Sequence, residues 1–222
     1  EKIGGKGLFI KNLERALLQN KADIAVHSMK DMEWNMAKGT KIGAVIKRGS
    51  RRDLLIGQWK RFKDLPIHAI VGTSSVRRKA FLLNARPDLK ITLLRGNINS
   101  RIKQLQSGKF DAIVLAEAGI QRLNIETEFI VLSEDLLLPS AAQGAIAIQY
   151  KTDNLKIKSL LSNINDPITE AETLAERSFV SSLNGSCSSP ISASAKVIDN
   201  KIHLIGAVAN PNGTEVFKEE IS

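Results

Sequence analysis

The chain has 222 residues, and its 43% of hydrophobic residues can form the core of one large domain or of two to three small ones. A formal charge of +9 indicates an acidic partner, but only 5% of the residues are aromatic and no zinc-finger or RNP-type signature is present, so a nucleic-acid-binding module is disfavoured. The chain contains no apolar run long enough to span a membrane and does not start with a signal peptide, which predicts a cytoplasmic protein without a membrane partner. Because it starts at Glu1 and not at methionine, we expect a further segment to precede it.

The first predicted elements are a helix and a buried strand. Residues 4–21 begin with a glycine-rich loop, GGKG, and continue with a helical pattern. The apolar face predicted for this helix consists of Leu8, Phe9, Leu13, Ala16 and Leu17. Residues 22–28 predict a strand in which His27 is a core histidine. The strand ends at the polar pair Lys30 and Asp31, a position where α/β proteins often carry their chemistry, and a loop salt bridge is the alternative for this pair.

The middle of the chain predicts a second α/β unit that is entered and left by crossings. A short strand at residues 42–46 is followed by the basic segment 47–52, which we interpret as the first crossing. Strands are predicted at 68–71, 91–94 and 111–116, and helices at 76–85, 98–107 and 117–123. The chain is expected to return through residues 142–145 to a strand at 146–149. Two crossings between two α/β lobes predict a cleft.

Arginines follow two consecutive strands of this unit. The first strand runs through the turn Thr73 to Ser75 into a helix whose first turn holds Arg77 and Arg78. The second strand ends at Arg95, Gly96 and Asn97, and the helix after it begins near Arg101. Parallel neighbours would bring these arginines to one sheet edge, where open α/β sheets bind ligands. We therefore predict a site for a carboxylate or phosphate, with ordinary solvated charge as the alternative.

The last part of the chain predicts a small α+β domain. Asp166 is the predicted N-cap of a helix with Pro167 at its first position and Gly185 after its end. The apolar side predicted for this helix consists of Ile168, Ala171, Leu174, Ala175 and Leu183. Strands at 190–198, 201–209 and 214–221 predict an antiparallel meander.

Cys187 is the only cysteine and lies between this helix and these strands. Its neighbours are small and polar, as a covalent attachment point requires, whereas a lone cysteine is more often structural. The three histidines have no metal-ligand spacing, so we predict no metal site.

Five motifs, in this order along nearly the whole chain, resemble those of the porphobilinogen deaminases, also called hydroxymethylbilane synthases. They are HSMKD at 27–31, GTSSVRR at 72–78, LRGNINSR at 94–101, AAQGA at 141–145 and GSCSSPI at 185–191. The resemblance implies an α/β fold of two periplasmic-binding-protein-like lobes around a cleft, plus a small third α+β domain with a three-stranded antiparallel sheet. Domain 1 would comprise residues 1–46 and 140–163, domain 2 residues 51–138 and domain 3 residues 166–222, with further sequence expected before domain 1 and after domain 3.

The resemblance also implies an enzyme of porphyrin biosynthesis. Such a transferase joins four porphobilinogen molecules head to tail with release of ammonia, on a dipyrromethane cofactor held by a thioether, and we expect it to be a monomer. Asp31 matches the catalytic carboxylate of the family and Cys187 matches its cofactor-attachment residue. The residues expected to bind cofactor and substrate are Lys6, Lys30, Thr73, Ser75, Arg77, Arg78, Arg95, Asn97, Arg101 and Gln143.

Two motifs differ in detail from commoner versions in the family. KDMEW stands where KDVP is usual, and GSCSSPI has serine where GGC is usual. The alternative from another class of function is a non-catalytic, two-lobed binder of a polycarboxylate. Cys187 distinguishes the two, because a simple binder needs no covalent attachment point.

Overall fold

The computed structural model describes residues 5–186 and 188–222. The predicted attachment residue Cys187 and the side chain of the predicted binding residue Lys6 lie outside the described part. The helices are α1 (Gly5–Leu18), α2 (Val76–Ala85), α3 (Ile98–Gln106), α4 (Glu117–Arg122), α5 (Leu155–Ser162) and α6 (Pro167–Ser182). The strands are β1 (Ile24–Ser28), β2 (Thr40–Ile46), β3 (Asp53–Ile56), β4 (Ile70–Gly72), β5 (Lys90–Thr92), β6 (Ala112–Ala116), β7 (Phe129–Leu132), β8 (Ile146–Lys151), β9 (Ile191–Ile198), β10 (Lys201–Ala209) and β11 (Val216–Ile221).

The strands form three sheets. The first sheet has the order β1-β8-β2, and both pairs are antiparallel. The second sheet has the order β5-β4-β6-β3-β7, in which β4 is parallel to β5 and β6 while β3 is antiparallel to β6 and β7. The third sheet, β11-β10-β9, is an antiparallel meander. The predicted fold class, two α/β lobes and a third part with a three-stranded antiparallel sheet, is confirmed.

The chain passes from the first sheet to the second through residues 47–52, which we call the crossing segment. It returns between the end of β7 and the start of β8. Residues predicted to form the parallel part of the second sheet do so, but β3 and β7 were not foreseen. They make this sheet mixed, because β3 lies between β6 and β7 and runs opposite to β6. Helix α5 was not foreseen either.

The N-terminal helix presents a different face to the core from the one predicted. Leu17 is fully buried, but Leu8 and Phe9 are 53% and 64% exposed. Glu14 takes part in the buried face, where its Oε1 accepts hydrogen bonds from Ala37 N and Gln149 Nε2. The helix also begins at Gly5, so most of the predicted glycine-rich loop is helical.

The predicted start of α6 is confirmed, but its predicted apolar side is wrong for the large residues, whereas Ala175 of that side does pack against the core of the third sheet. Asp166 is the N-cap and accepts a hydrogen bond from Thr169 N at 2.7 Å, with Pro167 at the first position. Ile168, Leu174 and Leu183 are about half exposed, and the most buried positions are polar. Those positions are Thr169, Glu172, Thr173 and Glu176. The helix buries carboxylates because the arginines of the crossing segment lie against it.

A continuous core joins the second and third sheets. Phe81 and Leu82 of α2 pack in one cluster with Ala207 and Ala209 of β10, and Asn84 Nδ2 donates a hydrogen bond to Gly213 O at 3.0 Å.

In the first sheet, His27 is a core histidine as predicted, since its Nε2 lies 2.9 Å from Gln149 Oε1 and burial lowers its pKa. Within the described ranges, no helix is long and apolar enough to cross a membrane.

Candidate active site

The turn after β1 carries the first two candidate residues. Met29–Asp31 form a 3₁₀ turn directly after Ser28, and Met29 N donates to Ala145 O at 3.1 Å, which fixes the turn to the return of the chain. Lys30 Nζ donates to Gln143 Oε1 at 3.1 Å. Asp31 is partly buried. The polar pair predicted at the strand end is therefore held between the two crossings.

Asp31 lines a cavity of about 230 Å³, which we call the first cavity. Its walls come from the Met29–Asp31 turn and the residues after it, the start of α2, the C-terminal half of α6, and the loop before β9. Ser75 and Arg77 contribute from α2, and Ser186 and Ser189 contribute from the loop. The motifs that are far apart in the sequence thus meet here, with residues on both sides of Cys187 next to Asp31.

The start of α2 is capped by its own hydroxyl residues, as predicted. Ser75 is the N-cap, and its Oγ accepts a hydrogen bond from Arg78 N at 3.3 Å. Thr73 Oγ1 accepts from Ser75 N at 3.1 Å. Thr73 is buried and lines neither of the cavities described here, so its hydroxyl shapes the turn.

Asp53 of β3 holds both arginines of α2, and sequence reasoning missed this residue. Arg77 Nη2 donates to Asp53 Oδ2 at 2.7 Å, and Arg78 Nη2 donates to Asp53 Oδ1 at 2.6 Å. Burial alone would raise the pKa of Asp53, but the two guanidinium groups outweigh it and hold the pKa well below its usual range. We call Asp53, Arg77 and Arg78 the cleft cluster. It carries one carboxylate for two cations, so a positive charge remains.

A second cavity of about 230 Å³ lies on the other side of Lys30. It is lined by Lys30 and Arg78 together with Asn97 and Arg101 of the predicted set. Asn97 caps α3 by accepting from Ser100 N at 2.9 Å, and Arg101 Nε donates to Gly96 O at 2.7 Å. Arg95, in contrast, is exposed and lines neither cavity.

Arg122 also lines the second cavity, and sequence reasoning missed it. Its Nη2 donates to Gly144 O at 2.6 Å, so it reaches from the end of α4 to the returning chain. Arginines in first helical turns indicate an anion site, whereas Arg122 is in a last turn, where a cation is ordinary. Only the proximity of α4 to the returning chain identifies it.

Gln143 is fully buried, and its side-chain amide is used by the protein itself. Besides accepting from Lys30, it donates from Nε2 to Arg51 O at 2.7 Å and to Asp53 Oδ1 at 3.0 Å. Gln143 therefore connects Lys30 to the cleft cluster. This places it behind the cavity wall, because it lines neither cavity.

Cationic side chains outnumber carboxylates along the two cavities. The cations are Lys30, Arg77, Arg78, Arg101, Arg122 and Arg177, and the carboxylates are Asp31 and Glu33, with Asp53 behind them. Burial lowers the pKa of Lys30 to about 7, and the positive charge of Arg78 acts in the same direction. Asp53 and Asp31 act in the opposite direction. Such a site favours a ligand that carries several carboxylates.

The described residues contain no group of three or more histidine, cysteine, aspartate or glutamate side chains arranged to hold a metal ion. Asp31 is the carboxylate that faces the first cavity from the 3₁₀ turn, beside the cations of α2.

Comparison with known proteins identifies the family of this chain. The family model "Porphobilinogen deaminase, dipyromethane cofactor binding domain" matches residues 1–159, and "Porphobilinogen deaminase, C-terminal domain" matches residues 170–222. A porphobilinogen deaminase of Geobacillus kaustophilus is 43% identical over 224 residues, which cover 100% of this chain and 72% of that protein. One of Buchnera aphidicola is 47% identical over 221 residues, covering 99% and 70%. A putative methionine-binding lipoprotein of Bacillus subtilis is similar in structure, with a TM-score of 0.48 and 15% identity over 72% of this chain and 77% of that one. From its sequence relatives and the two matching family models, this chain belongs to the porphobilinogen deaminase family.

Proposed function

We propose that Asp31 is the catalytic carboxylate of the reaction that this family carries out. The enzyme polymerises four molecules of porphobilinogen into hydroxymethylbilane, and each addition releases ammonia. Membership in an enzyme family excludes the non-catalytic binder that the sequence had left open. The observation that carries the proposal is the position of Asp31 on the wall of the first cavity, beside Arg77 and the loop around Cys187.

Loss of ammonia from porphobilinogen leaves a positive charge on the pyrrole and its methylene carbon. A fixed carboxylate stabilises such a charge, accepts pyrrole N–H hydrogen bonds and moves protons. Asp31 is suited to this because the 3₁₀ turn holds it beside the cavity. Lys30 and Arg101 interact electrostatically with Asp31.

The substrate and product carry an acetate and a propionate on each ring, which explains the surplus of cations. Among the predicted binding residues, those that line the cavities are proposed to contact these carboxylates or the rings. They are Lys30, Ser75, Arg77, Arg78, Asn97 and Arg101, and we add Arg122. For Thr73 and Gln143 we propose a supporting role, because their polar atoms are bonded within the protein. Arg95 is proposed to meet carboxylates that extend beyond the cavities.

We propose that the dipyrromethane cofactor of the family binds in the first cavity, with Cys187 as its attachment residue. Ser186 and Ser189, which flank Cys187 in the chain, line the same cavity as Asp31. Among the described residues, the buried Nε of Arg77 has no hydrogen-bond partner, so a carboxylate of a bound group would satisfy it. When bound, the cofactor supplies the pyrrole to which the first substrate is joined. The residues of this chain bind its carboxylates and hold it beside Asp31.

Three further proposals concern the whole chain. We propose a first domain of residues 1–46 and 140–163, a second of 51–138 and a third of 166–222. This division is supported by the three separate sheets, with the crossing segment between the first two. We also propose that the enzyme is a monomer and acts in the cytoplasm, where a biosynthetic enzyme of this family has its substrate.

The role of Asp31 is tested by Asp31→Asn, which keeps the shape of the side chain but removes its negative charge. We expect the variant to fold and to carry the cofactor, but to release ammonia about 10²-fold more slowly or worse. Asp88→Asn is the matched control, because Asp88 pairs with Arg86 at 2.7 Å outside both cavities. Rates are compared at equal cofactor content, measured by intact mass. A near-normal rate for Asp31→Asn would remove Asp31 from the catalytic role.

A further inference from the structure

Arg177 of α6 binds the backbone around Asp31. Its Nη1 donates to Met29 O at 3.2 Å and to Met32 O at 2.9 Å, and its Nη2 donates to Glu33 O at 2.9 Å. These carbonyl groups lie on both sides of Asp31 in the chain. One guanidinium group therefore fixes the turn from both ends, and it does so from a helix that packs on the third sheet.

Trp34 covers this guanidinium group. Its ring centroid lies 5.7 Å from Arg177 Cζ, which is within the range of a cation–π interaction. Trp34 is 45% exposed and lines the first cavity together with Arg177 and Asp31. The indole thus shields the Arg177 hydrogen bonds on the side of the cavity. Trp34 belongs to the KDMEW stretch that departs from the usual KDVP.

We propose that Arg177 and Trp34 form a clamp that holds the carboxylate of Asp31 at its place in the first cavity. Arg177 is a positioning residue, since it acts on the backbone that carries Asp31. This inference rests on the proposed catalytic role of Asp31.

The physical reason is the steep dependence of catalysis on position. A displacement of about 1 Å in a reacting group costs on the order of 10²-fold in rate. Asp31 lies in a short turn whose backbone beyond Met29 is held largely by Arg177, which binds the carbonyls of Met32 and Glu33. Without these hydrogen bonds the turn is free to shift relative to Arg77, which lines the same cavity. Substrate binding would be less affected, because Arg77 and Arg78 are held by Asp53, while the guanidinium group of Arg177 donates to backbone carbonyls.

The test uses Arg177→Met in the cofactor-loaded enzyme. We expect kcat to fall about tenfold or more while KM stays within about twofold, because the loss concerns the position of Asp31 and not substrate affinity. Arg177→Lys is expected to recover part of kcat, since one ammonium group can bind some of the three carbonyls but not all at once. Arg86→Met is the matched control. Arg86 also donates to backbone carbonyls, those of Leu65 and Pro66, but lies away from both cavities.

Trp34 supplies a readout that does not depend on activity. In a Trp59→Phe background Trp34 is the remaining tryptophan, and its fluorescence reports its surroundings. We expect Arg177→Met to shift this emission to longer wavelength, as the ring loses its partner and meets more water, while Arg86→Met leaves it unchanged. Trp34→Leu keeps every Arg177 hydrogen bond but removes one exposed cation–π contact. We expect this loss to lower kcat about two- to fivefold. This variant decides the question if Arg177→Met does not fold.

Several results would contradict the proposal that Arg177 and Trp34 position Asp31. These are a normal kcat in Arg177→Met, a raised KM with unchanged kcat, an equal loss of kcat in Arg86→Met, or a normal kcat in Trp34→Leu. The proposed function fails separately. If Asp31→Asn is inactive while Arg177→Met is normal, only the clamp is wrong, whereas an active Asp31→Asn removes the role of Asp31 itself.

Discussion

Two buried clusters of arginines and carboxylates lie near each other in this molecule, and they differ in charge balance. The junction cluster consists of Arg48 and Arg51 of the crossing segment with Glu172 and Glu176 of α6. Arg48 binds both oxygens of Glu176, at 2.8 and 2.9 Å, and Arg51 binds Glu172 at 2.8 Å. Two cations therefore meet two carboxylates. The cleft cluster has Asp53 alone between Arg77 and Arg78.

This difference separates a structural role from a binding role. Glu176 also accepts from Ala142 N at 2.7 Å and from Ala195 N at 2.8 Å, so the junction cluster ties the crossing segment, the returning chain and the third sheet together. None of its four members lines either cavity. The cleft cluster keeps a surplus positive charge and does border both cavities. The charges of the junction cluster cancel within the protein, whereas the positive charge of the cleft cluster is neutralised when a ligand brings carboxylates.

The largest effect on stability is expected from Glu176→Gln. The substitution keeps the shape of the side chain but removes the nearer carboxylate partner of Arg48, which then has only Glu172 at 3.5 Å. Breaking a buried ion pair costs up to about 3–5 kcal/mol. Activity per folded molecule should stay normal, because Glu176 is fully buried and lines neither cavity. Urea unfolding measures the first quantity, and ammonia release by the folded fraction measures the second. A stable but inactive variant would show that the junction cluster takes part in catalysis.

A smaller effect is expected from Arg77→Leu, with Arg95→Leu as its counterpart. From the sequence motifs alone, we expect either substitution to impair cofactor assembly or to stall elongation, with little loss of thermal stability. Because Arg77 is 4% exposed and paired with Asp53, its removal should cost about 1.5–3 kcal/mol in unfolding free energy. Arg95 is exposed, and its removal should stay within about 0.5 kcal/mol. Both variants are examined by thermal unfolding and by intact mass for the cofactor.

Equal stability of these two variants would contradict the buried pairing of Arg77 with Asp53. Full cofactor content and a normal rate in the folded fraction of Arg77→Leu would instead assign this arginine to structure alone. Either result would weaken the comparison, because the cleft cluster would then behave like the junction cluster.

The elements that sequence reasoning predicted well are those with strong local signals. The N-cap at Asp166 followed by Pro167 fixed the start of α6, and the turn at Asp199 and Asn200, both with positive φ, joins β9 to β10 as expected. The face of α6 could not be predicted by the same means. Its buried positions are glutamates, and a buried glutamate is recognised only when the arginine that neutralises it is known.

The residues of the candidate site also fall into those that the sequence predicted and those that it did not. Asp31, Ser75 and Arg77 belong to local sequence motifs, and all three line the first cavity. Asp53 was missed because it opens a four-residue strand without a turn or cap signal, and its partners lie 24 and 25 residues away. Arg122 and Arg177 lie within or at the end of helices, where an arginine carries no functional signal. Their roles depend on which backbone carbonyls the fold brings within reach.

A further expected effect concerns the pH dependence of stability, which reports the burial of Lys30 next to the positive charge of Arg78. The pKa of Lys30 is lowered to about 7 in the folded protein by burial and by Arg78, whereas an unfolded lysine has a pKa of about 10.4. Between these values the unfolded chain binds more protons than the folded one, so Lys30 makes stability rise with pH across this window. Below about pH 7 Lys30 is charged in both states and its unfavourable contribution is fully present. Above about pH 10.4 that contribution is gone.

Lys30→Met removes the unfavourable contribution of the charged lysine to folding. The unfolding free energy of the variant minus that of the parent protein should therefore be highest near about pH 6.5 and should decline steadily towards about pH 9.5. Unfolding free energies of the two proteins at about pH 6.5, 8 and 9.5 give the difference. Lys218→Met is the control, because Lys218 pairs with Asp135 at the surface, at 3.1 Å, and its difference from the parent should not change over this range. A flat difference for Lys30→Met would mean that Lys30 keeps an ordinary pKa. The positive field of the cleft cluster would then be compensated within the protein, and its contrast with the junction cluster would be lost.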